Sequence, residues 1–322
     1  MRCAVSFNCI FVLGPTAVGK TAIGVRLAKA LNGEIISADS RQVYKGLDIG
    51  SGKDLKDYEI DGEKIPYHLI DICDLKREYN LFDFQENFYS AFSDIASRKK
   101  IPVCVGGTGM YIDNIIRNYA MIPFKENLKE RAELESKSED ELKLILISEK
   151  EKLHNTSEFG DKERMIKAIL INRFNLSDEC KKLREEMLSK RPKINPLIIG
   201  TTLERPVLRA KIAKRLKDRI EEGLIDEVQN LHAKKNENGA EWERLESLGL
   251  EYRFVSEYLQ GKIESKEKLF ELLSLAIGQF AKRQETWFRS MEKKGVKINW
   301  LSRDESIEKR FEEAMRLVEM NK

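Results

Sequence analysis

Residues 14–21, with the sequence Gly-Pro-Thr-Ala-Val-Gly-Lys-Thr, constrain the fold of this chain more than any other stretch. They match the phosphate-binding pattern G-x-x-x-x-G-K-[ST]. An apolar, β-prone run precedes them at residues 9–13, and residues 22–31 that follow carry apolar side chains at helical spacing. Because this order of strand, loop and helix is the context that the pattern requires, it predicts a phosphate-binding loop at the edge of a parallel sheet.

The residue types of this loop fit phosphate chemistry. Gly14 and Gly19 allow backbone conformations in which successive N–H groups point toward phosphate oxygens near a helix N-terminus. Lys20 adds a positive charge for the terminal phosphate, and the Thr21 hydroxyl is placed to ligate Mg²⁺. A glycine-rich turn that binds nothing is the alternative, and the agreement of motif and flanks disfavours it. The predicted phosphate-binding residues are Gly14, Pro15, Thr16, Ala17, Val18, Gly19, Lys20 and Thr21.

Composition limits the partners and the compartment. The chain has 322 residues with 41% hydrophobic content, which suffices for a sizeable core. With 57 basic and 54 acidic residues the formal charge is only +3, so a nucleic acid would need a local basic surface. The five cysteines form no C-x-x-C pair, which predicts reduced thiols in a reducing compartment and neither disulfides nor zinc. Residues 9–13 are too few to span a bilayer, so we interpret them as a core strand.

Two further strand ends carry polar side chains. Residues 33–38 read as a strand that leads into Asp39 and Ser40, and residues 101–105 lead into a glycine-rich loop with Thr108. The carboxyl ends of parallel strands face the ligand crevice, so these side chains are candidates for chemistry. Asp39 would equally serve as a cap for the next turn, and residues 106–109 would equally form a plain strand-to-helix turn.

The rest of the chain is mostly helical. We predict an α/β fold with a P-loop parallel sheet flanked by helices in residues 1–122, completed by about residues 194–203. A charged segment without glycine-rich turns predicts a helical insertion at residues 123–193, and residues 204–322 form a helical C-terminal region. Residues 203–233 are amphipathic and rich in basic side chains. Residues 282–289 interleave cations with Trp287 and Phe288, which suits either RNA contacts or core packing.

Four blocks of the sequence together resemble the tRNA dimethylallyltransferases, also called tRNA isopentenyltransferases. They occur in family order and span nearly the whole chain. The second and fourth are far more specific than the phosphate loop. The blocks are residues 14–21, residues 38–44 (Ala-Asp-Ser-Arg-Gln-Val-Tyr) with 48–50, residues 106–111 (Gly-Gly-Thr-Gly-Met-Tyr), and residues 282–289 (Lys-Arg-Gln-Glu-Thr-Trp-Phe-Arg).

The resemblance implies transfer of a dimethylallyl group from dimethylallyl diphosphate to N6 of the adenosine 3′ of the anticodon in tRNA. The loop would then hold departing pyrophosphate rather than ATP, with Lys20 and Mg²⁺ on Thr21 stabilising its charge. Asp39 corresponds to the family's general base, Thr108 to its diphosphate-contacting threonine, and Arg215 to a helix arginine that reaches the pyrophosphate. We therefore expect Asp39, Thr108 and Lys20 to be catalytic.

The resemblance also implies a tRNA surface, in which the target adenine leaves its stack. We expect a monomeric, cytoplasmic protein with no membrane partner. The expected tRNA-binding residues are Asp39, Ser40, Arg41, Gln42, Arg164, Lys167, Arg283 and Arg289.

Two places depart from the family pattern. In residues 161–170 the family usually has a second arginine and a glutamate, where this chain has Lys167 and Leu170. Lysine keeps the charge but loses the bidentate fork of arginine. Residues 248–253 (Leu-Gly-Leu-Glu-Tyr-Arg) also depart from the usual G-Y-[RK] run. We expect both departures to affect tRNA binding or packing more than prenyl transfer.

Other functions remain open from the residues alone. A small-molecule P-loop kinase would use the same loop for ATP, with Asp71 in place of a Walker B aspartate. An adenylate isopentenyltransferase would use free AMP or ADP, and a silent RNA-binding paralogue would have lost the chemistry. A GTPase is disfavoured because no N-K-x-D string occurs. Residues Lys20, Asp39 and Thr108 together argue against the silent paralogue, and the basic helical half favours tRNA.

Overall fold

The structure is a computed structural model that describes residues 7–124, 126–149, 161–304 and 306–322. It divides into two compact units. One comprises the described residues up to Asn118 together with those of Lys193–Lys322, and the other comprises the described residues of Tyr119–Pro192. The sheet and the C-terminal helices therefore share one unit.

A six-stranded sheet with strand order β5-β2-β6-β1-β7-β8 forms the centre of the first unit. Every neighbouring pair in it is parallel. This confirms the α/β fold with a parallel sheet. The strands are β1 Cys9–Leu13, β2 Gly33–Ala38, β5 Tyr67–His68, β6 Ile101–Gly106, β7 Pro196–Gly200 and β8 Asn299–Trp300, with β3 Glu59–Ile60 and β4 Glu63–Lys64 in a separate antiparallel pair.

The register of the sheet aligns four strand ends. Leu13 of β1 lies opposite Gly106 of β6 and Gly200 of β7, and Ala38 of β2 also lies opposite Gly106. The loops that follow these four strands therefore leave the sheet at one edge. This is the edge at which open α/β sheets bind ligands.

Helices make up most of the remaining described residues of both units. Their bounds are α1 Lys20–Ala30, α2 Leu81–Ser97, α3 Gly109–Ile116, α4 Leu128–Glu135, α5 Glu139–Glu149, α6 Lys162–Leu176, α7 Asp178–Lys190, α8 Arg205–Glu221, α9 Leu224–Ala233, α10 Trp242–Ser247, α11 Leu250–Leu259, α12 Lys266–Lys293 and α13 Ile307–Met320, with a 3₁₀ turn at Leu55–Tyr58.

Two buried clusters cover the two faces of the sheet. Phe11 packs on one face with the aromatic stripe of α2, in which Phe84 and Phe88 are fully buried. Ile10 and Val12 face the other cluster, which includes side chains of α1 and α13. Alternate residues of β1 thus point to opposite faces, as its pleat requires.

The structure differs from the sequence reading at two elements. The sequence at residues 67–72 (Tyr-His-Leu-Ile-Asp-Ile) predicts a strand over its whole length. β5 has only two residues, because Leu69 and Asp71 adopt positive φ angles of 65° and 56°, which end the extended backbone. The amphipathic segment at residues 203–233 is broken into α8 and α9 at Gly223, whose φ is 105°. The break lets the second helix change direction, which no hydrophobic periodicity reveals.

Helices α4–α7 belong to the second unit and have a small core of their own. Leu134, Leu142, Met165 and Ile169 are fully buried in it. Leu170, one of the departures from the family pattern, is 1% exposed in this core, where an ionised glutamate would be costly. Among the described residues, every helix is too short or too polar to span a bilayer.

Candidate active site

A cavity of about 510 Å³ opens at the carboxyl edge of the sheet. Loops after β1, β2 and β6 supply one side of it, and helices α8, α11 and α12 supply the other. It gathers most of the residues that the sequence points to. Those that line it are Thr16, Lys20, Thr21, Asp39, Ser40, Arg41, Gln42, Thr108, Arg215 and Arg283.

Positive φ angles and closely packed neighbouring atoms explain the two glycines of the phosphate loop. At Gly14, with φ of 154°, an added Cβ would lie 2.1 Å from the carbonyl oxygen of Thr201. Gly19 precedes α1 with φ of 85° and would place a Cβ 2.5 Å from Ile307. A glycine in this position has no side chain with which to cap the helix, so the first N–H groups of α1 suit an anion.

Lys20 is held within the loop that it serves. Its Nζ donates a hydrogen bond to the carbonyl oxygen of Pro15 at 2.6 Å. Burial lowers the pKa of this ammonium group from 10.5 to about 8. The carboxylate of Asp39 opposes this shift, and the charge of Arg215 adds to it. The Lys20 ammonium group therefore interacts electrostatically with both Asp39, the candidate base, and Arg215.

Gln284 of α12 bridges two glycine loops that are distant in sequence. Its Oε1 accepts a hydrogen bond from the Thr16 N–H at 2.9 Å, and its Nε2 donates to the carbonyl of Gly107 at 2.9 Å. The side chain is 8% exposed. Sequence reasoning did not assign it a role. Its position within the family-specific block at residues 282–289 is the sequence feature that could have indicated a functional role.

Asp39 both caps a turn and faces the cavity. Its Oδ1 accepts hydrogen bonds from the N–H groups of Arg41 at 2.8 Å and Gln42 at 3.4 Å. The neighbouring Ser40 N–H donates to Thr108 Oγ1 at 3.1 Å. The two roles considered for Asp39 are therefore compatible, and the loops after β2 and β6 are joined beside it.

A carboxylate on α9 fixes the loop at residues 48–52, which lines the cavity at Gly50, Ser51 and Gly52. Glu227 accepts hydrogen bonds from three successive N–H groups, those of Asp48, Ile49 and Gly50, at 2.6 to 3.1 Å. It also accepts one from the hydroxyl of the fully buried Tyr252 at 3.0 Å. Sequence reasoning missed this anchor, because Glu227 is simply one acidic residue on a charged helix.

Two arginines of α8 reach the same loop. Arg215 pairs with Asp54 at 3.3 Å. Arg219, which sequence reasoning did not select, lies 3.6 Å from Glu251 and donates to the Gly50 carbonyl at 3.4 Å. Burial raises the pKa of the Glu251 carboxyl, and the charge of Arg219 opposes that rise.

Residues 248–253, the second departure from the family pattern, all line this cavity. Gly249 and Leu250 adopt positive φ angles of 76° and 39° there, and α11 begins at Leu250. The departure therefore lies in the wall of this cavity.

The cation-rich block on α12 divides between the cavity, the core and the surface. Arg283 lines the cavity and lies 5.8 Å from the Phe280 ring centroid. Phe288 is fully buried, whereas Trp287 is 44% exposed and covers Gly109. Arg289 is exposed and pairs with Glu285 at 2.7 Å. Only part of the block is therefore positioned for a ligand in this cavity.

The remaining two candidates lie in the unit Tyr119–Pro192. Arg164 and Lys167 are both exposed on α6, and Arg164 pairs with Asp161 at 3.3 Å.

Asp71 bears on the kinase alternative. Its carboxylate is bound by the ammonium group of Lys53, a residue that is 3% exposed and also pairs with Asp48 at 2.9 Å. This ion pair gives Asp71 a structural partner. Asp71 is not among the described residues that line the cavity, which disfavours a Walker B role for it.

The oxygen donors of the cavity suit magnesium held mainly by a ligand's phosphates. No group of three or more His, Cys, Asp or Glu residues with metal-binding geometry occurs within the described residues. Mg²⁺ commonly keeps several waters and takes few protein ligands beside substrate phosphates. The Thr21 hydroxyl at the start of α1 lines the cavity and fits that arrangement.

Comparison with known proteins gives a consistent result. The family model described as IPP transferase matches residues 42–291, and that described as isopentenyl transferase matches residues 7–67. A tRNA dimethylallyltransferase 2 of Treponema denticola is 52% identical, covering 91% of this chain and 95% of the relative. A tRNA dimethylallyltransferase 1 of Syntrophus aciditrophicus is 47% identical, covering 92% and 94%. The crystal structure of the full-length tRNA isopentenylpyrophosphate transferase from Bacillus halodurans aligns with a TM-score of 0.66 and 31% identity, covering 98% and 97%.

Proposed function

This chain belongs to the tRNA dimethylallyltransferase family, and we propose that it transfers a dimethylallyl group from dimethylallyl diphosphate to tRNA. The acceptor is N6 of the adenosine 3′ of the anticodon, and pyrophosphate is released. One observation carries the proposal. A single cavity holds the phosphate loop, Asp39 and Thr108 from adjacent strand ends, and Arg215 from α8.

The phosphate loop binds and activates the leaving group. Lys20 and the first N–H groups of α1 contact the diphosphate, and Thr108 and Arg215 contact it from across the cavity. These donors are already in place before reaction, so they stabilise the negative charge that develops as the carbon–oxygen bond breaks. The Thr21 hydroxyl would hold Mg²⁺ together with the diphosphate, and the bound ion would supply additional charge neutralisation.

Asp39 acts as the general base. The N6 amine of adenine is a weak nucleophile, because its lone pair is delocalised into the ring. As N6 forms its bond to the allylic carbon, the Asp39 carboxylate accepts the N6 proton and the electron pair of the breaking bond leaves with pyrophosphate. The hydrogen bonds from the backbone at residues 41 and 42 fix the carboxylate for this transfer.

The acceptor adenine must leave its stack to reach this carboxylate. Ser40, Arg41, Gln42 and Arg283 line the cavity, and we expect them to contact the extruded nucleotide. The exposed cations contribute phosphate contacts that position the tRNA without reading its sequence. We assign that role to Arg164, Lys167 and Arg289.

The test is a transfer assay with labelled dimethylallyl diphosphate and Mg²⁺, offered three acceptors in parallel. These are an anticodon stem-loop with adenosine 3′ of the anticodon, the same stem-loop with guanosine there, and AMP. We expect label only in the adenosine stem-loop. Label in AMP would instead support an adenylate isopentenyltransferase. Turnover of ATP with no label in RNA would overturn the proposal in favour of a kinase.

A further inference from the structure

Arg219 is the cavity residue whose role the proposed reaction leaves unexplained. It is 7% exposed and lines the cavity beside the loop at residues 50–52. Its Nη1 donates to the Gly50 carbonyl at 3.4 Å, whereas its buried Nη2 has no hydrogen-bond acceptor among the described residues. A buried donor without an acceptor is costly, so such an atom calls for an explanation.

The ion pair with Glu251 does not supply that explanation. The distance from Arg219 Nη1 to the Glu251 carboxylate is 3.6 Å, longer than the roughly 2.7–2.9 Å of a charge-assisted hydrogen bond. A buried pair of purely structural purpose needs close geometry and satisfied donors to offset the loss of solvation. The Arg219–Glu251 pair has neither close geometry nor satisfied donors. It therefore leaves Arg219 Nη2 without an acceptor among the described residues.

The guanidinium groups of Arg215 and Arg219 both lie against Gly52. A Cβ at this glycine would lie 1.8 Å from Arg219 Nη2 and 2.2 Å from Arg215 Nη2. The two nitrogens are therefore at most about 4 Å apart. Like charges this close repel. Burial is the main cause of the lowered pKa of Arg219, and the charge of Arg215 lowers it further. An anion bound beside both groups would remove this repulsion.

We propose that Arg219 and Arg215 form a paired-guanidinium subsite for the diphosphate, with Gly52 making room for the pair. The inference rests on the proposed function, which places the donor diphosphate in this cavity. Two planar guanidinium groups present several N–H donors to adjacent phosphate oxygens, a geometry that arginine offers and lysine does not. The hydrogen bond from Arg219 Nη1 to the Gly50 carbonyl holds the side chain beside this loop.

Calorimetric titration with inorganic pyrophosphate and Mg²⁺, without tRNA, tests the subsite apart from the transfer reaction. The variants are Arg219→Gln and Arg219→Lys, each first confirmed as folded by its thermal unfolding. We expect Arg219→Gln to weaken pyrophosphate binding at least about tenfold, because a hydrogen bond to a charged group is lost. The pyrophosphate affinity of Arg219→Lys should fall between those of the wild type and Arg219→Gln. The affinity of both variants for the anticodon stem-loop should stay within about twofold of the wild type.

Gly52→Ala is an independent test that leaves both arginines in the chain. The new Cβ would displace the two guanidinium groups, so we expect a loss of pyrophosphate affinity at least as large as for Arg219→Gln. Gly261→Ala is the matched control. It has a similar positive φ of 75°, lies outside the cavity lining, and has nothing within 4 Å of an added Cβ.

The outcomes separate this inference from the proposal beneath it. Wild-type affinity for pyrophosphate in both Arg219→Gln and Gly52→Ala would overturn the paired subsite and leave the transfer reaction untouched. Loss of stem-loop binding with unchanged pyrophosphate binding would assign Arg219 to an RNA phosphate instead, which also overturns it. A wild-type protein that fails to bind pyrophosphate would overturn the proposed function as well.

Discussion

The cavity has two walls of different origin. The sheet-edge wall consists of Lys20, Asp39 and Thr108, each within a few residues of the end of a strand or the start of a helix. The helical wall consists of Arg215, Arg219, Glu251 and Gln284, which come from helices far along the chain. Gln284, for example, bonds to a residue 268 positions away.

The two walls are held in place by different interactions. Backbone conformation fixes the sheet-edge wall, because parallel strands in register bring their loops to one edge. Long side chains fix the helical wall through hydrogen bonds to loop backbone, as Gln284 does with Gly107 and Arg219 with Gly50. We therefore expect the sheet-edge wall to supply the base and the phosphate loop, and the helical wall to add the arginines for the diphosphate and to set the geometry of the site.

The sharpest test of this division is Asp39→Asn. Asparagine keeps an oxygen that can accept the hydrogen bonds from residues 41 and 42, but it cannot take up the N6 proton. We expect the single-turnover transfer rate to fall by about 10²- to 10⁴-fold, the usual contribution of a general base. Binding of the stem-loop and of pyrophosphate should remain within about threefold of wild type.

Asp61→Asn is the control for loss of a carboxylate. Asp61 lies in the turn between β3 and β4, is exposed, and pairs with Lys29 at 2.8 Å. We expect its transfer rate to match wild type. A transfer rate for Asp39→Asn within tenfold of wild type would show that another group, or water, removes the proton.

The same division explains what the sequence predicts and what it does not. The motif at residues 14–21 predicts its own strand, loop and helix, because the glycine positions and the flanking periodicity are local properties. The β-prone runs at residues 33–38 and 101–105 likewise predict Asp39 and Thr108 at the carboxyl ends of two strands of the sheet. None of these steps requires knowledge of how distant segments pack.

The helical wall is beyond that kind of reasoning. Arg219 lies on a helix with many basic side chains, and only the tertiary structure distinguishes it from solvated neighbours such as Lys217. Glu227 is equally inconspicuous until three backbone N–H groups are seen to converge on it. The contacts that one residue makes with residues distant in sequence depend on tertiary packing, and hydrophobic periodicity does not predict them.

The break at Gly223 illustrates the same limit in the fold. The periodicity of residues 203–233 is continuous across α8 and α9, so it suggests one segment. The left-handed conformation of one glycine divides them. Placement of Glu227 against the loop at residues 48–50 depends on that division, and no local pattern encodes the angle.

A change at Gln284 tests whether the helical wall sets geometry. Gln284→Leu removes both of its hydrogen bonds and leaves the Thr16 N–H and Gly107 carbonyl without this partner. We expect the free energy of unfolding to fall by about 1–3 kcal/mol, the cost of unsatisfied buried groups. We also expect a transfer rate about tenfold lower, measured at saturating donor, because the phosphate loop shifts relative to Thr108.

Gln284→Glu and Gln260→Leu separate stability from geometry. The glutamate retains an acceptor for Thr16 N–H but cannot donate to the Gly107 carbonyl when ionised, so it should lose most of the rate. Gln260 bonds to Glu246 and the Ser256 carbonyl at the end of α11, outside the cavity lining. A rate for Gln284→Leu equal to that of Gln260→Leu would mean that Gln284 only stabilises the fold.

The smallest expected effect concerns pH and returns to Lys20 in the sheet-edge wall. Its pKa is lowered to about 8, so the free protein loses this positive charge as the pH rises through about 8. Pyrophosphate affinity should therefore fall several-fold between pH 7 and pH 9, since the ammonium group is one of its partners. The measurement is calorimetric titration at each pH, expressed relative to Lys20→Arg.

Lys20→Arg is the right reference because arginine keeps its charge throughout this range, and pyrophosphate's own ionisation affects both proteins equally. The ratio of wild-type to variant affinity should decline across pH 8.

A second readout follows from linkage between proton binding and folding. Between about pH 8 and 10.5 the unfolded chain binds a proton at Lys20 that the folded protein has released, so this residue makes the free energy of unfolding rise with pH there. Lys20→Met should abolish that rise. A constant affinity ratio together with an unchanged rise in Lys20→Met would show that Lys20 keeps its ordinary pKa, and that the cavity is more open to water than its packing indicates.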